Sequence, residues 1–220
     1  MPALPNSPFL CLVTDDELSA DRIVAVVESA CAAGRIVVQL RARNRGGREL
    51  FELAQRLRRV SAENDSLLVV NDRLDVAVAV GADGVHLPAS GISASVARAL
   101  LVRRAGSADR LRIGLSVHSV DEIRTNAAHV DYFQFGPVFA TPSKLAYGPP
   151  QGVAALAEAI RAADDAKRPL VAVGGIDATN AFTPIGAGAA GIAVIRAVMR
   201  ASDPGAATRA LLDEITRRRA

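Results

Sequence analysis

The chain has 220 residues, half of them hydrophobic and 22% charged, an ordinary globular composition with enough apolar mass for one sizeable core. Its 26 basic and 23 acidic residues nearly balance, aromatics make up only 4%, and no basic stripe is interleaved with them, which argues against nucleic-acid binding. No apolar run approaches bilayer-spanning length, and residues 1–8 lack the basic start and apolar core of a signal peptide, so a cytoplasmic protein with no membrane partner is expected.

In chain order, short apolar runs alternate with longer Ala/Leu/Arg-rich helical stretches. The predicted strands are Phe9–Thr14, Ile36–Arg41, Leu67–Asn71, Gly84–Leu87, Arg112–Ser116, Tyr132–Phe135, Leu170–Val173 and Gly191–Ile195. Several are apolar at almost every position, as parallel strands covered on both faces must be. Helices are predicted near 20–33, 47–62, 74–80, 93–104, 119–128, 153–162 and 178–186, with a last one over 204–219. Gly34, Gly81 and Gly188 stand where helices should end and suit a left-handed C-terminal residue. Eight strand–helix units without a Pro/Ser-rich linker predict one (β/α)8 TIM barrel over 1–220, with a doubly wound sheet as the alternative. Cys11 and Cys31 fall in apolar runs and read as small core residues.

One connection stands out. Residues 136–151, after the sixth strand, contain four prolines and are long for a compact barrel. Such a loop is either an active-site cover or a variable surface loop.

In this fold the C-terminal strand ends and the loops after them form the active face. They carry Gln39, Arg41 and Arg43 after strand two, Asn71 and Asp72 after strand three, and Ser116 and His118 after strand five. Thr141, Ser143 and Lys144 lie in the long loop, Gly174 and Gly175 follow strand seven, and Ile195 and Arg196 follow strand eight. A Gly-Gly pair at that place lets backbone N–H groups approach a phosphate, or simply makes a tight turn. Asp72 suits a magnesium ligand or a structural anchor paired with an arginine. His118 suits a proton shuttle or a structural hydrogen bond; His86, ending strand four, could also face the site. Arg196 either binds phosphate or points outwards.

Seven segments, taken together and in order, carry a resemblance. They are Val38–Arg41, Val70–Asp75, Gly81–Leu87, Gly114–Ser119, Phe135–Phe139, Thr141–Lys144 and Val173–Ile176. The chain resembles the thiamine phosphate synthase/TenI family, over nearly its whole length. Two chemistries are implied. A synthase joins a pyrimidine pyrophosphate to a thiazole phosphate, releasing pyrophosphate with Mg2+; a TenI-type tautomerase moves protons to aromatise a thiazole carboxylate phosphate and needs no metal. Under the synthase reading the resemblance assigns Gln39, Arg41, Asn71 and Lys144 to the pyrimidine pyrophosphate and Asp72 to Mg2+. Thr141, Ser143 and the backbone of Gly174 and Gly175 go to the thiazole phosphate, beside Ile195 and Arg196. Under the tautomerase reading His118, next to Ser116, transfers the proton.

Two departures tilt this reading toward the tautomerase. Ala42-Arg43 replaces the synthases' Glu-Lys, and Pro88-Ala89-Ser90-Gly91 stands where they place Gly-Gln and two acidic residues, one a metal ligand. A non-catalytic, phosphate-binding regulatory barrel is the remaining option. The oligomeric state is open, a homo-oligomer included.

Overall fold

The computed structural model describes residues 8–103, 111–141 and 149–217. Strand and helix alternate throughout: β1 (Phe9–Val13), α1 (Ala20–Ala33), β2 (Val37–Leu40), α2 (Gly47–Glu63), β3 (Leu67–Asn71), α3 (Leu74–Ala79), β4 (Gly84–Leu87) and α4 (Ala94–Arg103). The second half follows with β5 (Arg112–Val117), α5 (Val120–Asn126), β6 (Tyr132–Phe135), α6 (Gly152–Asp165), β7 (Leu170–Val173), α7 (Phe182–Gly186), β8 (Gly191–Val194), α8 (Arg196–Met199) and α9 (Pro204–Thr216). The strands are parallel, pair in chain order, and close where β8 meets β1. The molecule is a (β/α)8 barrel, as its apolar runs implied.

The closed sheet has two buried faces, and successive strand residues alternate between them. Leu10, Leu12, Val38, Leu40, Val85, Leu87, Phe133 and Phe135 pack outward under the helices. Phe9, Cys11, Val13, Val37, Leu67, Val69, Tyr132 and Val171 fill the barrel. Each helix supplies one apolar stripe; in α2 it is Leu50, Leu53, Ala54, Leu57 and Val60. Side chains fix several helix starts. Ser19 accepts from the Arg22 N–H, Ser119 and Glu122 form a capping box, and Asp203 accepts from the Ala206 N–H ahead of Pro204. Beneath the barrel, Asp83 accepts 2.8 Å hydrogen bonds from Arg58 and from the Leu68 N–H, stitching α2 and β3 to the start of β4.

Several expectations are revised in detail. The stretch ahead of α7 is not helical. Asp177 takes the Thr179 N–H and hydroxyl, and Asn180 caps back onto the Asp177 N–H, so the helix begins only at Phe182. A short helix, α8, follows β8 directly. Gly81 (φ 63°) and Gly188 (φ 104°) are left-handed as expected, but Gly34 is extended at φ 163°, a conformation open to any residue. No helix among the described residues is long and apolar enough to cross a membrane.

Candidate functional site

Polar residues break the apolar strand runs at inward-facing positions, and they meet inside the barrel. Gln134 of β6 donates through Nε2 to Gln39 Oε1 of β2 (2.7 Å), with the Cys11 thiol in contact at 3.7 Å from the same oxygen. Gln39 Nε2 donates to Asn71 Oδ1 at the end of β3 (3.1 Å). The side-chain oxygen of Asn71 is thereby used, and its N–H2 group has no acceptor among the described residues. Burial pushes the Cys11 thiol up to about 12 and Cys31 to about 11, so both stay protonated and inert, in keeping with a core role. A second chain links Tyr132, His86 and Ser116: His86 Nδ1 lies 3.3 Å from the Tyr132 hydroxyl, and Nε2 lies 2.8 Å from Ser116 Oγ.

Above this polar layer the mouth holds two cavities. The larger, about 640 Å³, is lined by Arg41, Arg43, Arg196 and Arg200, by the acidic Asp15, Asp16 and Glu17, and by Thr14, Asn44 and Ile195. Thr14 places Arg41 by bonding both its N–H (2.9 Å) and its carbonyl (3.0 Å). Arg200 is committed to Asp15 and Glu17 at 2.6 Å each. Arg196 lines the cavity, and among the described residues neither Arg196 nor Arg43 forms an ion pair. The smaller cavity, about 250 Å³, is lined by Arg43, Asn71, Asp72 and Ser90. Arg43 belongs to both.

Asp72 sits at the rim of the smaller cavity in the left-handed region (φ 66°), held by a 2.8 Å hydrogen bond from its N–H to the His86 carbonyl. A non-glycine residue held in that conformation at a cavity mouth is the kind of strain that accompanies function. Its expected arginine partner goes elsewhere: Arg73 binds Asp75 through two nitrogens at 2.6 and 2.9 Å. Ser90 lines the same cavity, and a Cβ added at Gly91 would lie 3.0 Å from Asp72 Oδ1. One carboxylate with a nearby hydroxyl fits a magnesium ion that brings phosphate oxygens and water of its own. Among the described residues no group of three or more His, Cys, Asp or Glu side chains converges.

On the opposite side, Gly174 and Gly175 adopt φ 103° and 66°. Cβ atoms there would fall 2.6 Å from Pro137 and from the Ala140 carbonyl, so the chain after β6 crosses in direct contact with the pair. The Val138 and Phe139 N–H groups bond the Val173 and Gly174 carbonyls. Among the described residues nothing accepts from the Gly174 and Gly175 N–H groups. The pair thus meets a steric demand and still presents donors.

His118 is exposed, and its Nδ1 lies 2.6 Å from the Gly136 carbonyl. A carbonyl only accepts, so Nδ1 carries a proton, and among the described residues nothing bonds Nε2. Glu122 fixes the backbone by accepting from the His118 and Ser119 N–H groups.

Of the residues expected from sequence, Arg41, Arg43, Ile195 and Arg196 share one cavity, and Asn71 and Asp72 its neighbour. Gln39 is buried with its amide engaged inside the protein, so it reaches the mouth only through Asn71. Thr141 is partly exposed at the end of the described loop, while Ser143 and Lys144 lie outside the described residues. Tyr132, Gln134 and Thr14 were not anticipated. Their signal was present in part: Phe133-Gln134-Phe135 and Val85-His86-Leu87 each set one polar residue between two that pack outward.

Comparison with known proteins extends this picture. The family model described as thiamine monophosphate synthase matches residues 10–198. A putative thiamine-phosphate synthase of Geobacter sulfurreducens is 42% identical over 205 residues, covering 92% of each chain. A thiamine-phosphate synthase of Haloarcula marismortui is 44% identical, covering 91% of this chain and 93% of its own. Among solved structures, a thiamine phosphate pyrophosphorylase from Pyrococcus furiosus superposes with a TM-score of 0.82 at 34% identity, covering 96% of both chains. A 3-hexulose-6-phosphate synthase matches at a TM-score of 0.64 but 18% identity, a likeness of fold alone.

Proposed function

The chain belongs to the thiamine monophosphate synthase family, and we propose that it is a thiamine phosphate synthase, joining a pyrimidine pyrophosphate to a thiazole phosphate with release of pyrophosphate. The observation that carries this reading is the pair of cavities meeting at Arg43, one where Arg41, Arg43 and Arg196 stand beside acidic residues already paired with Arg200 and Arg45, and one holding Asp72. Two anionic reactants need two such ends in one opening. The names of relatives from 37 to 44% identical point the same way. This reverses the preference suggested by the missing carboxylate after His86-Leu87.

In this reading Asn71 and Arg43 hold the pyrophosphate, Arg41 lies alongside, and Lys144 and Ser143 are assigned by resemblance. The donors of Gly174 and Gly175, with Arg196 and Thr141, hold the thiazole phosphate. Bond formation between the pyrimidine methylene carbon and the thiazole nitrogen breaks the carbon–oxygen bond to pyrophosphate. The departing group gains negative charge, and fixed guanidinium groups stabilise it more in the transition state than before. Magnesium at Asp72, with Ser90 beside it, would neutralise phosphate charge. Among the described residues lining that cavity Asp72 is the sole carboxylate, so substrate oxygens and water would complete the set.

The test is direct: purified protein, both phosphorylated substrates and Mg2+, with thiamine phosphate as the readout. Product that disappears on chelation is expected. The tautomerase reading keeps one structural support, the Nε2 of His118, which follows β5 and has no partner among the described residues. Aromatisation of the thiazole carboxylate phosphate without any thiamine phosphate formation would replace the proposal with it. Binding of thiazole phosphate without either reaction would favour the regulatory reading.

A further inference from the structure

The chain Tyr132–His86–Ser116 runs from the barrel interior toward the mouth, and the roles assigned above leave Tyr132 and His86 unused. Both are buried, while Ser116 is partly exposed. The register explains the rise: His86 pairs with Gly114, and Ser116 is the next inward position along β5 toward its C-terminal end. Gly114 also pairs with Tyr132, and its missing side chain leaves the space that the phenol fills on its way to His86.

The direction of the hydrogen bonds along this chain follows from what each group can do. Burial pulls the imidazole of His86 down to about 3 and pushes the Tyr132 phenol well above its ordinary range, so both are neutral near pH 7. A neutral imidazole has one proton for two nitrogens. If it sits on Nδ1, it points at the Tyr132 oxygen, and Ser116 must donate to Nε2. The phenolic O–H then has no acceptor among the described residues, and a buried donor without an acceptor is costly. If the proton sits on Nε2, Tyr132 donates to Nδ1, His86 donates to Ser116 Oγ, and the serine proton turns to the opening. No buried proton is orphaned.

We infer that Tyr132 and His86 are positioning residues that keep Ser116 a hydrogen-bond donor at the mouth, where it recognises an acceptor atom of the substrate. The neighbouring chain is polarised the same way, from Gln134 through Gln39 to the N–H2 of Asn71. The two interior chains therefore end in donors, a surface that selects acceptor-rich ligands and discriminates against those offering N–H or O–H there. The substrate role of Ser116 rests on the synthase reading; the proton positions do not.

Two measurements test this. Long-range 1H–15N correlation on the whole protein labelled at histidine, with His86 assigned by its absence from His86→Leu, reads the tautomer without any substrate. A proton on Nε2 is expected, and a proton on Nδ1 would overturn the inference. Steady-state synthase assays then compare Ser116→Ala, His86→Leu and the double variant, with folding checked by thermal unfolding. Each single change should lower kcat/KM about tenfold, and the double should be no worse than Ser116→Ala alone. Equal further loss from His86→Leu in the Ser116→Ala background would mean that His86 acts without Ser116, against the inference. If the wild-type chain makes no thiamine phosphate, the functional reading fails while the spectrum still decides the relay.

Discussion

Gly114 and Tyr132 face each other across β5 and β6 so closely that a Cβ on the glycine would overlap the Cζ, Cε1 and hydroxyl of the tyrosine. Both belong to the barrel interior, where neighbours are close-packed and cannot yield freely. Gly114→Ala should therefore destabilise the protein by about 1–3 kcal/mol through overpacking. It should also displace the phenol from His86. Urea unfolding measures the first effect, and unchanged stability would mean that Tyr132 has room to move aside.

His86 gives the stability curve an acid limb. Its imidazole is pulled from 6.5 to about 3 by burial. Between those values the unfolded chain binds a proton there that the folded chain does not. The contribution is thus complete above about pH 6.5 and is lost as pH falls toward 3. The melting temperature of the wild type should drop over this interval more steeply than that of His86→Gln. Parallel curves for the two proteins would show that another group controls acid unfolding.

Arg43 lines both cavities at the mouth and has no ion-pair partner among the described residues. Removing it takes a cation from both ends of the site at little structural cost, since the side chain is exposed. Arg43→Ala should raise KM for the pyrophosphate substrate about tenfold or more, and that for the thiazole phosphate by less. Its melting temperature should stay within a degree or two, about 0.5 kcal/mol or less. An unchanged KM for both substrates would remove Arg43 from the site.

Ser90 shares a cavity with Asp72, in the turn where the resemblance expects acidic residues. Ser90→Asp adds a carboxylate to the same cavity and should lower the Mg2+ concentration that gives half-maximal activity. Magnesium titration of the two proteins is the check. A variant that needs more Mg2+ than the wild type would place the metal away from Ser90.

The barrel was legible because its strands are buried on both faces, and runs such as Leu67–Asn71 and Gly84–Leu87 keep the same limits in the structure. The inward set was harder to read. When both faces are buried, hydrophobicity loses its period of two, so nothing in Tyr132–Phe135 says which residue faces the axis. Only the interruptions tell, and Gln39, His86, Ser116 and Gln134 are all interruptions of that kind. The sequence placed Gln39 and Asn71 in one site but not in one hydrogen-bonded chain, because their contact depends on strand register across the closed sheet. The break in helix before Phe182 was missed for a local reason: Asp177 and Asn180 cap a turn that helical spacing alone does not reveal.

The crossing after β6 has a bearing on how such proteins diversify. The two feet of that loop are clamped, since the Gln151 and Gly152 N–H groups bond the Pro137 and Val138 carbonyls, and Val138 and Phe139 are tied to β7. Both anchors lie outside residues 142–148, so an exchange of that segment leaves every one of these hydrogen bonds in place. Because closure cost grows only slowly with loop length, a change in the length of this connection should cost the barrel little stability.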